Sequence, residues 1–281
     1  MIEAFPRLRE FLGRRIGMAL DESKHYLVEG RLGPVARRFG AADVDALLGR
    51  LGDEAIEQAI IDAMTTPETL FFRDRAPFEL FASFVLPRLI ERRSSQRQIR
   101  IWCAGCATGQ EPYSIAMLID EQARQLAGWR IDIVGTDVSR AALDVARTGA
   151  YNQFEVQRGL PVAMLLRYFT RDGDRWRVAD HLRARIEFRE LNLVTNFGGL
   201  GLFDVIFCRN VLYYFDVAAK EDTLARIAGA CRPDGFLVLG AAETVLDQSP
   251  HWRRHGRHPS LFVRREDMPA TTVRPRLVAS R

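Results

Sequence analysis

Short apolar runs alternate with helix-period stretches from Ile99 onward, and that alternation limits the fold more than any other feature of the chain. The runs fall at residues 99–103, 131–136, 185–189, 203–208, 236–240 and 260–264, with helical patterns at 111–126, 139–148, 161–168 and 217–231. Strands separated by helices predict a mostly parallel sheet covered on both faces. The last two runs lack a long crossover, so one sheet edge is expected to be antiparallel. Residues 1–70 show no strand pattern. Phe5, Leu8, Phe11, Leu12 and Ile16 recur at helical spacing, as do Val44, Leu47, Leu48 and Leu51, then Ile56, Ala59, Ile60 and Ala63. Gly17, Gly40 and Gly52 punctuate them. The expected organisation is α/β with a small helical domain (1–70), a connecting segment (71–98) holding a helix from Ala76 to Arg93, a larger domain (99–266) and a disordered tail (267–281).

The stretch IRIWCAGCATGQEPYS, Ile99 to Ser114, joins a strand to a helix through small residues, Ala104, Gly105, Ala107, Thr108 and Gly109. A tight loop of that kind brings backbone close to a nucleotide-like ligand. No Lys follows Gly109, so this is not a phosphate-binding GxxxxGK[ST] loop. Glu111 instead stands where the helix begins. A carboxylate there repels a pyrophosphate and suits a cationic ligand such as S-adenosylmethionine.

The second strand ends in Asp137 and is followed by Ser139. An acid in that place accepts hydrogen bonds from ribose hydroxyls. It could equally serve as a loop acid or a second cap, and ribose binding is the favoured reading. NAD would satisfy the same geometry, so this pair alone does not separate a dehydrogenase from a methyltransferase. The fourth strand runs into Cys208, Arg209, Asn210, Tyr213, Tyr214 and Phe215, which suit either a ligand crevice or a buried aromatic cluster. Ahead of the sheet, MTTPETLFFRDRAPFELF (Met64 to Phe81) can turn Thr69 and Arg73 toward the crevice, or simply pack two domains with Arg73 in a salt bridge.

Composition removes several classes. The net charge is +4, and residues 1–90 hold 12 basic and 14 acidic side chains, which leaves no domain-wide field for nucleic acid. The chain lacks [DN]PP[YF] and a Pro-Cys nucleophile, which counts against base methylation. Cys103 and Cys106 form a CxxC, but Cys208 and Cys231 are isolated, so no zinc site is expected, and no metal elsewhere. His251, His255 and His258 read as surface residues on an edge strand. No apolar run approaches the ~20 residues of a membrane span, and no export signal is visible. Cytoplasm is the expected location.

Four separated blocks, TTPETLFFRD, WCAGCATGQEPYSIAMLI, IVGTDVSRAALDVARTGAY and FDVIFCRNVLYYFD, resemble the chemoreceptor glutamate O-methyltransferase family of CheR type. IGMALDESKHYLVEGRL resembles its N-terminal domain and GFLVLGAAET its fifth strand, so the likeness runs from about residue 5 to 265. The resemblance implies a helical domain joined to a class I, Rossmann-like methyltransferase sheet with a small antiparallel β-subdomain inserted at about 171–188. It implies cofactor contacts from Thr69, Arg73, Ala104, Gly105, Glu111, Asp137, Asn192, Leu193, Arg209 and Asn210. Arg73 and Tyr214 would border the methyl-transfer site as catalytic residues. Arg31, Arg37 and Arg38 would grip the acidic methylation helices of a chemoreceptor, although a solvated basic face explains them equally well. A monomer is expected. Two departures stand out: Pro67 replaces the family's usual Asn, and RDGDRWRV (Arg171–Val178) lacks a Gly-x-Gly insertion. The second implies the branch that does not dock on a receptor's terminal pentapeptide.

Overall fold

The apolar spacing near the N-terminus is realised as four helices, α1 (Phe5–Ile16), α2 (His25–Arg38), α3 (Val44–Leu48) and α4 (Glu54–Met64). The computed structural model describes residues 4–241, 243, 249–256 and 258–265, so the expected tail at 267–281 lies outside the described residues. Helix α1 buries Phe5, Leu8, Phe11, Leu12 and Ile16 and stops at Gly17, whose φ of +70° is a left-handed cap. Asp53 caps α4 by accepting from the N–H groups of Ala55 and Ile56. The apolar faces close on a core of their own.

The expected helix from Ala76 to Arg93 is divided into α5 (Ala76–Leu80), a π-helical turn (Phe81–Val85) and α6 (Leu86–Arg92). Pro87, in the first turn of α6, has no N–H to donate backward and crowds the preceding turn, which a locally widened ladder relieves. Phe78 and Phe81 pack their rings against Phe207 of the sheet.

Ten strands follow: β1 (Gln98–Ala104), β2 (Arg130–Asp137), β3 (Ala150–Asn152), β4 (Phe169–Asp172), β5 (Arg175–Val178), β6 (Ile186–Glu190), β7 (Phe203–Cys208), β8 (Cys231–Leu239), β9 (Trp252–Arg254) and β10 (Leu261–Arg264). Between them lie α7 (Gln110–Glu121), α8 (Arg140–Thr148), α9 (Gln153–Gln157), α10 (Val162–Tyr168), α11 (Asp180–Arg183) and α12 (Val217–Ala230). Seven strands form one sheet in the order β6-β2-β1-β7-β8-β10-β9. The first five are parallel, and β10 and β9 add the expected antiparallel edge. Both faces are covered. Ile99, Ile101 and Cys103 of β1 face one core with the linker phenylalanines. Trp102 and Ala104 face the other, with Leu224 and Ile227 of α12.

From β1 the chain winds outward through β2 to β6, then returns to β7 on the other side of β1. The order therefore reverses between β1 and β7, and a crevice opens at their carboxyl ends.

The small antiparallel sheet exists, in the order β3-β5-β4, but the expected span of about 171–188 is corrected. The sheet begins at Ala150, and Ile186–Glu190 pairs in parallel with β2 in the main sheet. A three-residue strand such as β3 has too few positions to display a period, so its sequence gave no strand signal. Among the described residues, no helix is long and apolar enough to cross a membrane.

Candidate active site

Where β1 ends, the N–H groups of Gly105 and Cys106 both donate to the Thr136 carbonyl of β2, at 2.8 and 2.9 Å. This pins the small-residue loop against the neighbouring strand. Gly105 has φ +73°, and a Cβ on it would lie 2.4 Å from Cγ2 of Val211, so the position admits only glycine. The loop and its surroundings form one wall of an open cleft holding about 1000 Å³ out to its mouth.

Asp137 stands on the cleft at the end of β2. Its carboxylate accepts from Ala107 N–H (2.8 Å) and Ser139 N–H (2.9 Å). Burial pushes its pKa up, and those backbone donors pull it partly back. A carboxylate offers about four lone-pair sites, so capacity remains for a pair of hydroxyls. Glu111, buried in the first turn of α7, accepts from Nη1 of Arg209 at 2.9 Å. Burial raises its pKa, while Arg209 opposes the rise. One cleft thus brings together a carboxylate with spare acceptor capacity and a second, buried carboxylate.

Thr69, Arg73, Gly105, Glu111, Asp137, Asn192, Leu193, Arg209, Asn210 and Tyr214 all line this cleft. Ala104 does not; it is buried beside Trp102 in the core behind it. Arg209 and Asn192 are engaged by several protein groups. Arg209 donates Nη2 to the Arg73 carbonyl (2.7 Å) and to Asp74 (2.8 Å), and its guanidinium lies 5.3 Å from the Phe78 ring. Asn192 donates to the Arg15 carbonyl and accepts from Val194 N–H. The carboxamide of Asn210, by contrast, has no hydrogen-bond partner among the described residues, and its backbone is left-handed, φ +59°. Arg73 donates Nη1 to the Glu68 carbonyl at 2.8 Å.

The three arginines expected at the recognition face divide. Arg37 and Arg38 are exposed. Arg31 instead reaches the Met64 carbonyl (2.7 Å) and the Thr66 hydroxyl (3.1 Å), in the linker that borders the cleft.

Sequence reasoning missed the contribution of the helical domain. Ile16 and Met18 line the cleft, Met18 forms an antiparallel bridge with Phe215, and Ala19 N–H donates to the Tyr214 carbonyl at 2.8 Å. Gly17 was visible as punctuation, but not that a Cβ on it would meet Val194 at 2.6 Å. It also missed Glu243, a buried carboxylate beyond β8 that had been read only as part of a strand end. The four cysteines are buried free thiols, and burial pushes each pKa up. No group of three or more His, Cys, Asp or Glu side chains placed to hold a metal occurs among the described residues.

A parallel sheet reversing between β1 and β7, with a close-approach glycine and two acids at the carboxyl ends of its strands, is the frame of the class to which the family model assigns this chain, a methyltransferase that uses S-adenosylmethionine. The family models described as "CheR methyltransferase, SAM binding domain" and "CheR methyltransferase, all-alpha domain" match residues 67–260 and 3–65. The chain belongs to the CheR methyltransferase family. It is 41% identical over 266 residues to chemotaxis protein methyltransferase 1 of Pseudomonas aeruginosa, covering 92% of this chain and 97% of that protein. The protein Cher2 of Pseudomonas putida is 41% identical over 256 residues, covering 89% and 93%. Chemotaxis protein methyltransferase 1 of Vibrio cholerae is 40% identical over 243 residues, covering 84% and 86%. Among solved structures, a TehB-like SAM-dependent methyltransferase from Corynebacterium glutamicum is 18% identical at a TM-score of 0.37, covering 68% of this chain and 92% of that one. PKMT2 from Rickettsia typhi is 12% identical at a TM-score of 0.38, and the match spans 62% of this chain and 26% of that chain.

Proposed function

We propose that this protein transfers a methyl group from S-adenosylmethionine to glutamate side chains on the cytoplasmic methylation helices of chemoreceptors, forming methyl esters. The observation that carries the reading is the presence of Arg73 and Tyr214 in the same cleft as Glu111 and Asp137, with relatives named chemotaxis protein methyltransferases.

When bound, S-adenosylmethionine supplies a methyl carbon on a positive sulfonium, open to direct displacement by an anionic oxygen. A glutamate carboxylate is already ionised near neutral pH, with a reference pKa of about 4.3, so no residue needs to act as a general base. The task left to the protein is alignment with water excluded. Asp137 takes the ribose hydroxyls and Glu111 the charge of the cofactor. Thr69, Leu193 and Asn210 complete the cofactor site. Arg73 orients the substrate carboxylate, and Tyr214 offers a hydroxyl to the same end of the cleft. Arg209 acts one step back, by holding the Arg73 main chain and Glu111 together. An overly tight grip by Arg73 would stabilise ground state and transition state alike, so its value lies in orientation.

Arg37 and Arg38 on α2 form the receptor-facing charge, which mainly sets encounter rate and register. The hairpin β4–β5 turns through Gly173 and Asp174 alone, with Asp172 paired to Arg175. Such a short turn supports recognition of the methylation helices without a terminal docking peptide. The protein works as a cytoplasmic monomer in this reading.

The test is transfer of labelled methyl from S-adenosylmethionine to membranes carrying the host's chemoreceptors, followed by base. Label released as methanol is expected. Cofactor binding without base-labile label on receptors would overturn the substrate assignment.

A further inference from the structure

Strands β7 and β8 are parallel neighbours, so the loops leaving their carboxyl ends lie side by side. The first loop carries Arg209 to Phe215 along the cleft. The second turns at Gly240, and Glu243 N–H donates back to the Gly240 carbonyl at 3.0 Å. This turn brings the Glu243 carboxylate beneath the first loop, where the residue is 3% exposed. Oε2 accepts from the N–H groups of Asn210 (2.9 Å) and Gly240 (2.8 Å). Oε1 accepts from Val211 (2.9 Å) and Leu212 (2.8 Å). Four backbone donors, three of them consecutive, therefore converge on one carboxylate.

We propose that Glu243 is a positioning residue for the cofactor site, fixing the Asn210–Leu212 turn so that Asn210 and Val211 face the cleft in one conformation. A left-handed backbone at a residue other than glycine persists only where its surroundings determine it, and at Asn210 the clamp supplies that constraint. Val211 is the contact that leaves no room for a side chain on Gly105, so the clamp sets the cofactor loop as well. Gly240 belongs to the same device: a Cβ there would lie 2.8 Å from Oε2 of Glu243 and 3.0 Å from Nδ2 of Asn210. Glutamine is a poor substitute. Its amide nitrogen would place a donor where two N–H groups need an acceptor, whereas Asp keeps all the acceptor capacity on a shorter arm.

The inference rests on the cofactor-site reading and not on the receptor substrate, so it is tested without receptor. Affinity for S-adenosylhomocysteine is measured by calorimetry, with amide hydrogen exchange over residues 209–214, in Glu243→Gln, Glu243→Asp and Gly240→Ala. Glu243→Gln and Gly240→Ala are expected to lose at least tenfold in affinity and to speed exchange at Val211 and Leu212, with Glu243→Asp recovering part of both. Affinity within twofold of wild type in folded Glu243→Gln and Gly240→Ala overturns the proposal. So does a loss that disappears once affinity is corrected for the unfolded fraction. If Glu243→Gln fails to fold, Gly240→Ala decides the matter: it keeps the carboxylate but crowds it, and exchange at Leu212, away from the added methyl, separates loss of the clamp from the 3.0 Å contact with Asn210. Failure of receptor methylation by the wild-type protein would fall on the substrate reading and leave these binding measurements intact.

Discussion

Nη1 of Arg209 lies 2.9 Å from the Glu111 carboxylate, both residues are buried, and Arg209 also pairs with Asp74, so the three side chains together keep one negative charge. Removing Arg209 strands Glu111, whereas removing Glu111 leaves Arg209 with Asp74 and the Arg73 carbonyl. Breaking a buried pair costs about 3–5 kcal/mol. Arg209→Ala is expected to lower unfolding stability in urea by that order, and Glu111→Ala to abolish measurable S-adenosylmethionine binding at a smaller cost in stability. A variant of wild-type stability would show that the pair does not hold the loop.

Cofactor binding and folding should respond to acid with opposite signs. Burial raises the carboxyl pKa of both Glu111 and Asp137. Between the ordinary carboxylate value of about 4 and the raised one, the folded protein binds more protons than the unfolded chain. The stability contributed by these groups is therefore greatest below the ordinary value and is lost as pH rises through the raised one. Ligand contact needs the ionised forms, so S-adenosylmethionine affinity should fall as pH drops through the raised values. Titration calorimetry checks this, and Glu111→Gln or Asp137→Asn, where still binding, should flatten the profile.

Arg31 and the Arg37–Arg38 pair should separate in their effects. Arg31 is bonded to the linker at Met64 and Thr66, and its loss removes about 1 kcal/mol of net hydrogen bonding. Arg31→Ala should weaken S-adenosylhomocysteine binding by about fivefold with no receptor present. Charge reversal at Arg37 and Arg38 should leave that affinity unchanged and reduce receptor methylation. Equal behaviour of the two sets in the receptor-free assay would contradict this division.

Gly105→Ala combines a left-handed backbone with a contact at 2.4 Å to Val211. The conformation alone costs about 1–2 kcal/mol. Thermal melting should drop, and cofactor binding should be lost at temperatures where the protein remains folded.

Arg73→Ala tests orientation. Methyl transfer should fall by about 100-fold, the effect of a misplaced reactant, with S-adenosylmethionine affinity changed by less than about threefold. Retained transfer would remove Arg73 from the chemistry.

The periodic parts of the fold were legible in the sequence. Strands β1, β2, β7 and β8 are apolar runs bounded by turn residues, and the loop glycines and Asp137 sit where a parallel sheet must place its ligand residues. The small sheet was misplaced because β3 spans only Ala150–Asn152. The roles of Arg31, Asn192 and Glu243 were hidden for a different reason. Arg31 bonds residues 33 and 35 positions away, Asn192 a carbonyl 177 positions away, and Glu243 amides 31 to 33 positions away. No local pattern encodes such a partner; only the folded chain does.

The bridge between Met18 and Phe215, with Ala19 bonded to Tyr214 and Arg15 to Asn192, makes the helical domain part of the wall around the ligand. The two halves are therefore not interchangeable modules. A helical domain grafted from a relative would bring a foreign edge to the cleft and change the wall that Ile16 and Met18 now form. One seam therefore serves both halves, and a substitution on either side of it reshapes the same wall.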